Sequence, residues 1–370
     1  MRRLTAASLS IAAMTLAGAL FLHLAGIDAL EERNAFQFFA DSQTYHEIAR
    51  GGLATFDSGI ELVGVAVNFL GPLLLLFVAG ENYYAMLVLN ALMLAWAIAS
   101  IARSLGLDPF RFLLVLVCNP LVLSSLLSVN KEMLSIVFLA LLLRACVARS
   151  AGAWIAAAVV SLLVRWQLTL VLLTVAFVVG PLNPLRERRW TTIAAIVLGL
   201  SLLYVLLGET LAPIRVNFEF AAEDYEGSGL YESLNSLQND GWYWAVFPVK
   251  AVHLLFGNGL RLDRLFHPDN IYNDVFQLLH SLALLLLFTA LVRAGRAKVS
   301  NDLVYLSLLY IAIFAITPIY SPRYFLPVYV LWAAALCAPE FVRVFAGTAR
   351  APSRPRRRFV ASSPALPPKR

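Results

Sequence analysis

One decapeptide, Phe38-Phe39-Ala40-Asp41-Ser42-Gln43-Thr44-Tyr45-His46-Glu47, holds a carboxylate, a phenol, an imidazole and a second carboxylate within seven residues. Asp41 in that setting is a candidate general base, able to take a proton from an acceptor hydroxyl brought within hydrogen-bond reach. Tyr45 and His46 are candidate substrate contacts beside it. The competing structural role for Asp41 is the N-cap of a helix beginning at Ser42. Three further polar groups interrupt apolar sequence. Asn130-Lys131-Glu132 stands between two apolar runs with almost no loop, and Lys131 is a candidate phosphate contact steadied by Glu132. The competing reading is a tight interfacial turn with Lys131 reaching outward along its aliphatic stem. Arg165-Trp166-Gln167 sits inside a 29-residue apolar stretch, where ionisable side chains are functional candidates by default. A guanidinium is a planar fork that matches phosphate oxygens; alternatively Arg165 pairs structurally with Glu132 or another outer carboxylate. Tyr320-Ser321-Pro322-Arg323-Tyr324 supplies a second such fork, or an ordinary turn with one solvated arginine.

The elements that must position these groups are read from composition. The 370 residues are 60% hydrophobic and only 14% charged, with a mean hydropathy of +0.75. A soluble domain carries about a quarter charged residues. Repeated apolar runs near 20 residues match a hydrocarbon layer about 30 Å thick. The expected fold class is therefore all-α, a polytopic helical membrane protein with about ten transmembrane helices. The net charge of +6 is no nucleic-acid signal, because the excess sits in loops and tail. Cys118, Cys146 and Cys337 give neither a disulfide framework nor metal-ligand spacing. No Walker A loop, GxGxxG or HExxH occurs.

In chain order, Leu4 to about Gly26 reads as an uncleaved first span. A polar loop follows, with a short helix around 42–50 stopped by Gly51-Gly52. Residues 62–80 are apolar but interrupted by Asn68, Gly71 and Pro72, and read as a span or as an interfacial helix. Further apolar segments fall at about 83–102, 112–129, 133–149, 152–164, 168–180, 191–208, 275–292, 302–319 and 324–345. The predicted layout is an integral membrane domain over 1–347, with a first outer loop at 27–82 and a long outer loop at 209–273. A basic, disordered cytoplasmic tail covers 348–370.

Orientation follows from the enrichment of arginine and lysine in cytoplasmic loops. If 62–80 does not span and 152–180 is two short helices hinged at Arg165, the inside holds 20 of the 29 basic residues. The same choice leaves only Asp108, Glu187, Asp302 and Glu340 inside among the acidic ones. The rival layout puts Arg103, Arg111, Arg144 and Arg149 outside and strands Arg165 near mid-membrane, at a cost of at least about 2.5 kcal/mol. The first layout is preferred. It places both termini in the cytoplasm of a bacterial inner membrane and puts Asp41, His46, Asn130, Lys131, Glu132, Arg165, Gln167 and Arg323 at the outer face.

One carboxylate and three basic groups at a lipid-accessible outer face suit transfer of a sugar from a polyprenyl phosphate or diphosphate. Asp41-Ser42-Gln43-Thr44-Tyr45-His46 after the first span, the 62–80 helix and Arg323-Tyr324-Phe325-Leu326-Pro327 at a late span together resemble the GT-C superfamily of polytopic glycosyltransferases. That resemblance implies a catalytic acidic residue in the first outer loop, interfacial helices there, a lipid-linked sugar donor and a glycan or lipid acceptor. It implies an inverting glycosyltransferase with Asp41 catalytic. Tyr45, His46, Asn130, Lys131, Glu132, Arg165, Gln167, Arg323 and Tyr324 are then its substrate- and phosphate-binding residues. The chain has no Asp-x-Asp pair and no large soluble C-terminal domain, so a divalent metal enters only as an option. Val129-Asn130-Lys131-Glu132 and Arg165-Trp166-Gln167 also resemble membrane proteins of bacterial polysaccharide clusters, including Wzy-like repeat-unit polymerases. A transporter or flippase of a lipid-linked glycan is the alternative from another class; the chain lacks the internal repeat such proteins often carry. Membrane lipids are expected partners and nucleic acid is not.

Overall fold

The computed structural model describes residues 2–27, 42–51, 59–180, 183–185, 187–206, 229–260, 262–266, 268, 271–317, 321–339 and 343–345. Asp41, the 28–41 part of the first outer loop, the acidic stretch 209–228 and the tail from 348 lie outside the described residues. Every regular element among the described residues is helical. Among the described residues four helices are long and apolar enough to cross a membrane: Arg3–Leu24, Tyr83–Leu105, Arg189–Leu206 and Asp274–Arg293. A bent pair, Pro109–Val117 with Pro120–Leu127, makes a fifth if counted as one span. The other segments expected to span from their apolar runs are shorter helices: Ala151–Val164, Trp166–Val179, Asp302–Phe314 and Pro322–Cys337. Lys131–Ala148 has 18 residues, but its first turn is charged.

The elements in order are α1 (Arg2–Leu24), α2 (Ser42–Gly51), α3 (Gly59–Val78), α4 (Tyr83–Leu105), α5 (Pro109–Val117), α6 (Pro120–Leu127), α7 (Lys131–Ala148), α8 (Ala151–Val164) and α9 (Trp166–Val179). There follow α10 (Arg189–Leu206), α11 (Gly229–Leu237), α12 (Tyr243–Phe256), α13 (Gln277–Arg293), α14 (Asp302–Phe314) and α15 (Leu326–Cys337). Six helix starts among the described residues are set by a side-chain cap. Asn82, Asp108, Asn119, Asn130, Ser150 and Asn301 each accept a hydrogen bond from a backbone N–H of the first turn. Such a cap typically contributes about 0.5–2 kcal/mol.

The segment expected as one span at 112–129 is broken. Pro120 has no N–H for the carbonyl four residues back, and its ring crowds that carbonyl. Asn119 instead caps a new helix, and the two pieces meet at 91°. The 62–80 segment is a single helix, Gly59–Val78, with Pro72 inside it. Between α8 and α9 the chain reverses at Arg165, which is extended (φ −161°, ψ 129°). Thr169 Oγ1 donates to Ser161 Oγ at 3.1 Å, a contact between residues eight apart that a continuous helix cannot make. The hinge reading of Arg165 therefore holds.

Basic loops gather at one end of the bundle. Arg3 meets Asp108 at 2.5 Å. Arg189 pairs with Asp302 and donates to the Val299 carbonyl at 2.8 Å. Arg296 donates to the carbonyls of Ala335, Leu336 and Ala338. Phe345 N–H donates to Asp302 at 2.8 Å. Because α7 descends to this end and α8 returns from it before the chain turns back into α9, Glu132, Arg165 and the Ser321–Tyr324 turn are left together at the opposite end.

A candidate anion site where short helices meet

At that opposite end Glu132, in the first turn of α7, accepts a hydrogen bond from Arg165 Nη2 at 2.9 Å. Both side chains are almost fully enclosed, 4% and 1% exposed. The Arg165 guanidinium carbon lies 4.2 Å from the centre of the Tyr324 ring. Arg323 approaches the same ring at 5.9 Å and donates from Nε to Ser321 Oγ at 3.1 Å. Two guanidinium groups thus share one aromatic ring, whose negative face suits cations. Tyr324 is fixed in turn: its carbonyl accepts from Tyr310 OH at 3.0 Å, and its ring meets Phe314 edge-on at 6.2 Å.

Lys131, beside Glu132 in sequence, is half-buried and turns elsewhere. Its Nζ sits 4.0 Å from the Phe69 ring of α3 and 6.0 Å from Tyr45 of α2. Tyr45 is fully buried in a small core with Leu76, Ala79, Met86 and Val129. The 42–51 helix is therefore docked against the 59–78 helix and the start of α4, and brings the first outer loop to Lys131. The expectation that Glu132 steadies Lys131 is replaced by a different pairing. Glu132 holds Arg165, and aromatic rings hold Lys131.

Asn130 is occupied by the fold. Its Oδ1 accepts from Met133 N–H at 2.9 Å, and its Nδ2 donates to the Ser125 and Ser128 carbonyls at 2.8 Å each. His46 is 5% exposed and packs 6.1 Å from the Tyr83 ring. Burial, with the Arg50 charge adding to it, pushes the imidazole down to about 4. His46 is therefore neutral at pH 7, and its Nδ1 has no hydrogen-bond partner among the described residues. The same holds for Glu132 Oε2 and Gln167 Oε1. Arg165, Glu132, Arg323 and Tyr324 come together, with Gln167 two residues from the hinge. Lys131, Tyr45 and His46 form a neighbouring group. Asp41 lies outside the described residues, one position before α2.

Sequence reasoning missed what supports Arg323. Asn119 Nδ2 and His280 Nδ1 are 2.7 Å apart, and His280 Nε2 is 3.2 Å from the Pro322 carbonyl. Asn119 Oδ1 already accepts from Leu121 N–H, so the amide nitrogen must donate to Nδ1. The imidazole proton then sits on Nε2 and is donated to Pro322. The break between α5 and α6 is in this way tied to the residue before Arg323. The Asn119-Pro120 dipeptide was the available signal for the break; nothing in the sequence pairs it with His280. Lys250 was also missed, although it is one of four lysines and interrupts the apolar run Tyr243–Phe256. Its Nζ donates to Gln238 Oε1 at 2.6 Å and to the Thr317 carbonyl at 2.9 Å.

Arg165 and Arg323 here, with Lys131 in the neighbouring group, set three cations against the Glu132 carboxylate, an excess suited to an anion with several oxygens. No group of three or more His, Cys, Asp or Glu that could hold a metal ion occurs among the described residues. No family model, curated protein or solved structure matches this chain.

Proposed function

We propose that the chain is a membrane glycosyltransferase of GT-C type that moves a sugar from a polyprenyl-phosphate donor to a glycan or lipid acceptor. The site end faces outward, and the basic end faces the cytoplasm of a bacterial inner membrane. One observation carries the reading. Arg165 and Arg323 meet at the Tyr324 ring, Glu132 binds Arg165, and Lys131 adjoins Glu132 in the first turn of α7, where helices of only 13 or 14 residues end. At 1.5 Å per residue those helices are about 20 Å long, against about 30 Å of hydrocarbon. Their ends therefore lie in a recess that a lipid headgroup can enter from the side, while the shorter helices complete about ten crossings.

In this reading Arg323 and Lys131 hold the donor phosphate. The acceptor hydroxyl attacks the anomeric carbon from the face opposite the phosphate. The carbon–oxygen bond to phosphate breaks with its electron pair moving to the phosphate oxygen, and the hydroxyl proton passes to Asp41. The cations stabilise the charge that builds on the leaving phosphate. Arg165 acts through Tyr324: one Nη is held by Glu132, and its flat face orders the ring beside Arg323.

Transfer of labelled sugar in membranes, with abundance checked by blot, tests this. Arg323→Lys keeps the charge but not the fork, and is expected to lower transfer at least tenfold. Asp41→Asn caps a helix about as well as aspartate does but cannot accept a proton, so a loss of about 100- to 10,000-fold is expected. Full activity of Asp41→Asn at normal abundance would remove the general base and with it this mechanism. Loss in Arg323→Lys alone would then favour a repeat-unit polymerase.

A further inference from the structure

The helix α12 has its polarity turned inside out. Its exposed residues are Trp244, Ala245, Pro248, Val249 and Val252, all apolar. They recur at i, i+1, i+4, i+5 and i+8 and so form one stripe. Its single charged side chain, Lys250, lies on the opposite side with no exposure. A helix on the surface of a water-soluble body does the reverse, because lysine is almost never fully buried and large apolar groups are. Trp242, just before the helix, is 51% exposed, and Asn239 and Asp240 before it are exposed polar residues.

Depth gives an independent argument. The Phe256 ring at the end of α12 lies 6.1 Å from the Phe288 ring. Phe288 is the twelfth residue of α13, about 17 Å along that helix at 1.5 Å per residue. It meets the Trp332 ring at 5.3 Å, and Trp332 Nε1 donates to Ser307 near the middle of α14. The far end of α12 therefore sits about three-quarters of the way down a helix, Asp274–Arg293, that is long and apolar enough to span a membrane. The exposed Leu285, Leu286 and Val292 of that helix continue the apolar surface.

From these two observations we infer that residues 242–256 are embedded in the bilayer and that the Trp244–Val252 stripe contacts lipid acyl chains. Part of the segment that reads in sequence as an extramembrane loop is then a re-entrant wall beside the site. Lys250 explains how such a wall tolerates hydrocarbon. Backbone carbonyls left open there are costly. Lys250 and Tyr231 both donate to Thr317, Gln238 Nε2 donates to Ile316, and Tyr243 OH donates to Ala312. The carbonyls in the last turn of α14 and just after it are closed by side chains of α11, Gln238 and α12, and Lys250 Nζ faces that closure rather than lipid.

Single nitroxide labels at Asn239, Ala245, Val249 and Val252 test the inference without any use of catalysis. They are placed in a protein lacking Cys118, Cys146 and Cys337 and reconstituted in phosphatidylcholine–phosphatidylglycerol vesicles. Collision with oxygen, which concentrates in hydrocarbon, is expected to exceed collision with a water-soluble nickel chelate several-fold at 245, 249 and 252. The order should reverse at 239. Dominance of the nickel chelate at 249 and 252 would make α12 a water-facing roof and overturn the inference. Low access to both reagents would mean that protein covers the stripe, and would overturn it equally. A second measurement needs no label: lipids brominated on the acyl chain should quench tryptophan emission less once Trp242 and Trp244 are both replaced by phenylalanine. An unchanged quenched fraction would again refute it.

Discussion

Arg165 is held from two sides, by the Glu132 carboxylate at 2.9 Å and the Tyr324 ring at 4.2 Å. A buried ion pair of this kind adds little net stability relative to apolar residues of similar size, but removing one partner strands the other. Glu132→Gln is therefore expected to destabilise the protein by roughly 3–5 kcal/mol. The double change Glu132→Leu with Arg165→Met should recover most of that loss. Thermal unfolding in detergent reads both, and a double variant as weak as the single one would refute the pair's role. His46 makes a pH prediction. Its folded value of about 4 lies below the ordinary 6.5. The unfolded or undocked state then binds more protons between those values, so stability rises with pH there. The docking of α2 should be fully present above about pH 6.5 and weaken as pH falls toward 4. Amide hydrogen exchange over residues 45–51 measures this, and His46→Gln should flatten the dependence.

Among the elements, α3 owes its place to a close approach. A Cβ built on Gly71 would lie 2.9 Å from the Leu163 carbonyl oxygen and 3.2 Å from a Val164 methyl. The carbonyl belongs to the last turn of α8, just before the Arg165 reversal, so it cannot yield without moving the hinge. Gly71→Ala is expected to cost about 1–3 kcal/mol through overpacking, against a gain of up to about 1 kcal/mol from removing a helical glycine. A lower melting temperature is the expected net result, together with faster exchange at 68–78. A stabilised Gly71→Ala would show that α3 is free to shift. The broken α5–α6 pair is positioned by a different device, the Asn119–His280–Pro322 chain. Its three members lie on elements far apart in sequence.

For the whole molecule, the separation of charge is visible in contacts as well as composition. Arg3, Asp108, Arg189, Arg296 and Asp302 share one end, and the site occupies the other. Ser300 and Ser236 are exposed near the two ends. Cysteine at Ser236 should react with an impermeant maleimide in intact cells. Cysteine at Ser300 should react only after permeabilisation, both in a protein lacking the three native cysteines. The opposite pattern would invert the proposed orientation and put the site on the cytoplasmic side. Ser128, two residues before Asn130, is unsuited to such labelling because it is buried.

The sequence by itself determined the all-helical class and several helices apolar enough to cross a membrane, because apolar runs leave few ways to satisfy a backbone in hydrocarbon. It also determined the reversal at Arg165, because a bare guanidinium at mid-span is too costly. The polar triplets at 130–132 and 165–167 and the 321–324 turn were visible for the same reason: each is an exception within lipid-compatible sequence. The roles inside those triplets were decided only by tertiary structure. Asn130, read in sequence as a substrate contact, caps α7 through its Oδ1 while its amide nitrogen holds carbonyls of the preceding turn. Glu132 looked like the partner of Lys131. The descent of α7 and the return of α8 instead bring Arg165, 33 residues away, to its carboxylate. His280 and Lys250 carried no readable role at all. Each acts on a carbonyl 42 or 67 residues distant, at Pro322 and Thr317. Such pairings depend on which helix ends coincide in space, and periodicity along one chain segment does not contain that information.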